Sequence, residues 1–190
     1  PDRWSAETEL LLFTAARRDH LERTILPALA AGKIVLCDRF ADSTRLYQGL
    51  SRGDLRQAVD TLHTLMIGTE PNLTVLIDIN PALGLRRAKS RHGTEERFED
   101  FGESLQARMR QGFLTLAEEQ PHRIHVIDGD RSIDDVAQDI FNLVQSFVEK
   151  KSTFGWLRNL VRQKCGHTNL SLHWNHNKRR LHSNHYFLYC

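Results

Sequence analysis

The sequence predicts an α/β fold, a parallel sheet flanked by helices, and three observations carry that reading. Three short uninterrupted apolar runs, Ile34–Cys37, Leu73–Ile77 and Ile124–Ile127, are rich in branched residues, as strands buried on both faces require. Segments of helical period separate them. Two of the runs end in a carboxylate, Asp78 and Asp128, and the first continues into Asp38-Arg39. Polar chemistry therefore falls at the carboxyl ends of the strands, where open α/β sheets bind ligands.

The elements follow in order. Residues 5–31 read as a long helix: Ser5 with Thr8, Glu7 and Glu9 supplies a start signal, and Leu10, Phe13, Arg17, Leu21 and Ile25 recur at helical spacing. Pro27 is expected to kink or divide it, and Gly32 suits a left-handed cap. Further helices are expected over 54–68, 81–91, 102–120 and 132–149, the last with Ile133, Val136, Ile140, Leu143, Val144 and Phe147 on one face. No internal repeat is present.

The 190 residues, 40% hydrophobic and 26% charged, suit a soluble globular domain. No apolar stretch approaches a membrane span, and Pro1-Asp2-Arg3-Trp4 has neither region of a signal peptide. Its lack of an initiator Met suggests a chain that begins inside a longer protein. Cys37, Cys165 and Cys190 are too few and too scattered for a disulfide framework, which points to a reducing cytoplasm. The net charge of +2 hides a split: residues 150–190 hold eight Lys/Arg, five of the ten His and no acidic residue, leaving 18 basic against 24 acidic residues in 1–149. A boundary is therefore expected between a domain at 1–149 and a basic, His-rich extension at 150–190.

Three constellations could carry chemistry. In the first, Asp38-Arg39-Phe40 is followed by Ser43 and by Tyr47-Gln48-Gly49. Arg39 at a strand's carboxyl end can grip a phosphate with paired hydrogen bonds, and Asp38 can orient it or hold Mg²⁺ through water. A surface ion pair with Tyr47 as packing is the competing reading. In the second, Phe13 and Arg17, four apart on one helix face, can stack on a base and donate to its carbonyl edge; Phe13 as core is the alternative. In the third, Arg86–Glu99 places Arg91, Gly93 and Arg97 after a helix, as a flap closing over phosphates would need, or as a solvated helix end.

Together these motifs resemble those of the thymidylate (dTMP) kinase family. Phe13-Thr14-Ala15-Ala16-Arg17 resembles its Phe-x-Ala-x-Arg helix. Cys37–Phe40 with Ser43 and Tyr47-Gln48-Gly49 resembles its Asp-Arg-Tyr and Tyr-Gln-Gly signature. Pro71–Asp78 resembles its Pro-Asp-Leu-Thr-x-x-Leu-Asp strand, and Arg91–Glu99 its LID segment. The match runs from about residue 3 to 149 in order. It implies a three-layer P-loop-kinase-like sheet and transfer of the γ-phosphoryl of ATP, with Mg²⁺, to dTMP, giving dTDP. It also implies a cytoplasmic homodimer away from membranes. Phe13 would stack on thymine, Arg17 would bond a base carbonyl, Gln48 would contact the base edge and Tyr47 would lie near the sugar. Arg39 would hold the acceptor phosphate, Asp38 would organise phosphates and the Mg²⁺ water shell, Ser43 would line the pocket, and Arg91 and Arg97 would close on the donor. No dedicated metal-ligand set is assigned.

The sequence departs from the family in two places. No Gly-x-x-x-x-Gly-Lys-Ser/Thr loop occurs in it, nor a Glu-Pro-Gly-Gly-Thr segment; the expectation is that roughly fifty family residues, with the first strand, stand outside these 190. That predicts an inactive chain; the alternative reading is a non-catalytic nucleotide-binding or dimerising truncated paralogue. It also predicts bare edges on the strands at 34–37 and 73–77, because the resemblance places the P-loop strand between them. The extension at 150–190 has three readings. It is a non-native sequence such as altered-frame translation, a basic arm touching nucleic acid, or a metal stub using Cys165, His167, His173 and His176.

Overall fold

The computed structural model describes residues 4–50, 54–89, 102–151 and 185–189. Helix α1 (Ala6–His20) opens where Ser5 accepts a hydrogen bond from the Thr8 amide at 3.2 Å, satisfying one of the four amides a helix start leaves bare. It runs through a π-helical turn at Leu21–Ile25 into α2 (Leu26–Ala30). The turn has a local cause. Pro27 has no amide hydrogen and crowds the carbonyl one turn back, and the chain widens just before it, with the Leu26 amide bonding the Leu21 carbonyl five residues away. The helix is thus modulated rather than divided. Gly32, at φ 70°, ends it in the left-handed region that glycine enters without steric cost.

Strand β1 (Val35–Asp38), helices α3 (Ala41–Tyr47) and α4 (Arg56–Met66), strand β2 (Leu73–Asp78), helices α5 (Pro81–Lys89) and α6 (Gly102–Glu119) and strand β3 (Ile124–Asp128) follow. Apart from α3, which is an added short helix after β1, they match the expected alternation to within a few residues. Leu73 to Leu76 are all buried, as a central strand demands. Leu46, Leu76, Met109, Phe113, Leu116 and Ile124 form one core cluster; Leu21, Ile25, Cys37, Phe40, Ala41 and Ile67 form another.

The sheet order is β1-β4-β2-β3, where β4 is His185–Tyr189. β2 and β3 pair in parallel, Thr74 opposite Ile124 through Asp78 opposite Asp128. β4 lies antiparallel to both of its neighbours, with Val35 opposite Tyr189 on one side and Leu73 opposite Leu188 on the other. β1, β2 and β3 therefore share one direction, as predicted. The bare edges expected on β1 and β2 are not found: the chain's own last strand fills the slot between them. Buried amide and carbonyl groups must be paired, and an extended segment of either direction can supply the partners.

The chain forms two compact units, residues 1–132 with 184–190, and residues 133–183. In the second, helix α7 (Ile133–Lys151) has Asp134 and Asp135 in its first turn, where the helix dipole favours negative charge. Gln138 donates to Asn142 at 2.9 Å and Gln145 to Glu149 at 3.0 Å. No helix among the described residues is long and apolar enough to cross a membrane.

Candidate functional site

The site is built on α3, and α3 is anchored by buried charge. Asp42, 2% exposed, accepts from Arg45 at 2.6 Å and from both terminal nitrogens of Arg123 at 2.7 and 2.8 Å. Arg123 also donates to the Thr74 hydroxyl at 3.0 Å, tying α3 to β2. Arg45 reaches Asp60 on α4 at 2.8 Å and pairs with Glu70. Burial works against the charge on Arg45, but Glu70, Asp42 and Asp60 outweigh it and raise its pKa. Burial likewise works to raise Glu70, and contacts with His63 and Arg45 overcome it, bringing the carboxyl down to about 2. Buried ions persist only when paired in this way.

Beside this anchor, three hydrogen bonds join α1 to α3 and its two capping residues. Arg17 donates to the Thr44 hydroxyl at 2.5 Å and to the Phe40 carbonyl at 3.4 Å, with its guanidinium 5.2 Å from the Phe40 ring centre. Gln48 Nε2 donates to Glu9 Oε2 at 3.2 Å. Glu9, Phe13 and Arg17 are spaced by four along α1 and so share a face; Thr44 on α3 and Gln48, its helical C-cap, are aligned for the same reason. Phe13, halfway between the two linked residues of α1, is 43% exposed. A large aromatic left open in a row of engaged polar groups is suited to meet a ring from solvent.

At the carboxyl end of β1 the backbone turns sharply. Arg39 has φ 62°, a left-handed conformation that costs an L-residue roughly 1–2 kcal/mol. The Cys37 thiol donates to the Arg39 carbonyl at 3.3 Å, and the Arg39 guanidinium lies 5.1 Å from the Tyr47 ring centre. These contacts offset the strain and hold a cation at the strand end, next to Asp38. Tyr47 meets Phe113 edge-on at 6.3 Å. Gly49 is required by packing: a Cβ there would lie 2.2 Å from the Arg45 carbonyl oxygen and 3.2 Å from the Arg56 Cα.

The sequence-predicted residues are thus placed as follows. Arg17 and Gln48 are drawn into the α1–α3 links, Phe13 lies in their row, and Arg39 pairs with Tyr47. Ser43 is buried, and its hydroxyl has no hydrogen-bond partner among the described residues. Arg91 and Arg97 lie outside the described residues, as do Cys165, His167, His173 and His176. Sequence reasoning missed Glu9 and Thr44 as partners of the site. Glu9 stands four residues before Phe13, a spacing that could have flagged it. Asp78, one of the strand-end carboxylates, is engaged by Arg110 through bonds of 2.6 and 2.7 Å. Among the described residues no group of three or more His, Cys, Asp or Glu could hold a metal ion. Asp38 alone does not build a site for magnesium, which bound phosphates would have to complete.

Most of the chain is similar to known proteins. The family model described as thymidylate kinase matches residues 2–140. The thymidylate kinase of Ruegeria pomeroyi is 69% identical over 150 residues, covering 79% of this chain and 71% of that one. That of Dinoroseobacter shibae is 62% identical over 140 residues, 74% of this chain and 68% of its own. The crystal structure of thymidylate kinase from Ehrlichia chaffeensis superposes with a TM-score of 0.59 at 34% identity, over 75% of this chain and 66% of that one. The chain thus spans about two thirds of the length of these relatives. A family model covering most of the chain, together with relatives of this identity, establishes that the chain belongs to the thymidylate kinase family of phosphotransferases.

Proposed function

We propose that residues 1–149 carry the acceptor half of a dTMP kinase and bind dTMP between α1, α3 and the end of β1. The observation that carries this is the row on α1 in which Arg17 and Glu9, each bonded to α3, flank the exposed Phe13. Phe13 stacks on the thymine and Arg17, held by Thr44, donates to a base carbonyl. Gln48 meets the base edge and Tyr47 lies beneath the sugar. Arg39 binds the acceptor phosphate, with Asp38 beside it and Ser43 behind it; Arg91 and Arg97 close on the donor. In the complete reaction ATP supplies the phosphoryl group and Mg²⁺ neutralises it, so that positioning and electrostatics do most of the work.

The 190 residues hold no Gly-x-x-x-x-Gly-Lys-Ser/Thr loop, so this segment alone should bind nucleotide without transferring phosphate, whether it serves a dTMP kinase or a non-catalytic nucleotide-binding paralogue. Its setting in either case is the cytoplasm, in dTTP synthesis, as a homodimer. Leu11 and Leu12 on α1 and Leu65 and Met66 on α4 are exposed at 59%, 44%, 69% and 47%, a surface suited to a second copy. Of the extension at 150–190, the strand β4 belongs to the sheet of this domain. Calorimetric titration tests the acceptor reading. The chain should bind dTMP saturably, Phe13→Ala or Arg39→Ala should weaken binding about tenfold or more, and mixing with ATP, Mg²⁺ and dTMP should give no dTDP. Absence of dTMP binding contradicts the acceptor assignment; turnover contradicts the non-catalytic one.

A further inference from the structure

Gln48 is 3% exposed and would be ambiguous by itself, because an amide can present either its oxygen or its NH₂. Its partner removes the ambiguity. Glu9 Oε2 lies 3.2 Å from Gln48 Nε2, and an ionised carboxylate can only accept. The amide must therefore turn its NH₂ toward α1, which leaves Oε1 as its acceptor. Gln48 is not free to rearrange cheaply: it follows α3, which is pinned by the buried Asp42–Arg123 pair, and a flip would bring two acceptors together at the cost of a part-buried charge-assisted bond.

We propose that Glu9 is a positioning residue that fixes the hydrogen-bonding polarity of Gln48 and so selects the base. This rests on the acceptor reading above. Thymine carries a hydrogen on the ring nitrogen between its two carbonyls and can donate it to Gln48 Oε1. Cytosine presents a bare acceptor nitrogen at the same place, and two lone pairs then face each other. Discrimination against a ring of the same size thus comes from a fixed donor–acceptor sense rather than from shape, which is how a polar site rejects a near-isostere. Glutamine in place of Glu9 would offer Gln48 either a donor or an acceptor, and the polarity would no longer be set.

The test uses the full chain and calorimetric titration with dTMP and dCMP. The wild type should prefer dTMP, and Glu9→Gln should reduce the ratio of the two affinities by about tenfold, mainly by strengthening dCMP relative to dTMP. Gln48→Ala should reduce the ratio similarly, and adding Glu9→Gln to it should change nothing further, because the two residues act as one unit. A purely structural role for Glu9 predicts instead that both nucleotides weaken together at an unchanged ratio. That result, or a ratio unaltered in Glu9→Gln, overturns the proposal. A wild type that binds dTMP and dCMP equally overturns it while leaving the acceptor reading intact; a wild type that binds neither removes both.

Discussion

Glu70 shows how single charges hold the site's scaffold. It faces His63 Nε2 at 3.0 Å and pairs with Arg45, and its carboxyl is held near 2 against an ordinary 4.5. A lowered carboxylate pKa contributes stability that is fully present above the unfolded value and is lost as protons bind the folded form. The window is therefore pH 4.5 down to about 2, with stability falling across it. Glu70→Gln should lose about 1 kcal/mol at neutral pH, the pair being partly screened by solvent, and should flatten the acid branch of a denaturation series. An acid branch as steep as the wild type's would show that other carboxylates carry it. Much of this residue scale was hidden in the sequence. Asp42, Arg45 and Arg123 are charged, and charge ordinarily marks a wet surface; here all three are 5% exposed or less. Nothing in residues so far apart as Asp42 and Arg123 announces a shared buried pair. The left-handed Arg39 was equally unreadable, since nothing but glycine advertises positive φ.

The element scale was more legible, because strands and helices declare themselves by period. The runs at 34–37, 73–77 and 124–127 became β1, β2 and β3, and Gly32 capped where a left-handed residue was needed. The π turn was not foreseen, although Pro27, its cause, was expected to disturb the helix. The strand β4 was missed because the extension was read by composition, which obscured the β-prone His185-Tyr186-Phe187-Leu188-Tyr189. Its consequence is testable. Since β4 bonds both β1 and β2, deleting residues 184–190 removes partners on both sides of the slot. The unfolding midpoint should drop by more than about 5 °C, and the shortened chain should self-associate through its bare edges. A monomer with an unchanged, sharp transition would mean that the slot is not held by this strand.

At the scale of the whole molecule, the family and the fold were readable because several motifs recur in one order over 1–149. The acceptor assignment asks more: residues from α1, the end of β1 and α3, remote in sequence, must meet one ligand. The α1–α3 bonds and the Arg39–Tyr47 contact place them near one another, and the Asp42–Arg123 anchor keeps α3 in register with β2. Amide chemical-shift mapping with added dTMP tests this most directly. Saturable shifts should concentrate at Glu9–Arg17, at Arg39 and at Thr44–Gln48, with β3 and α7 unmoved; the absence of saturable shifts, or shifts centred away from these three segments, would rule out a shared dTMP site.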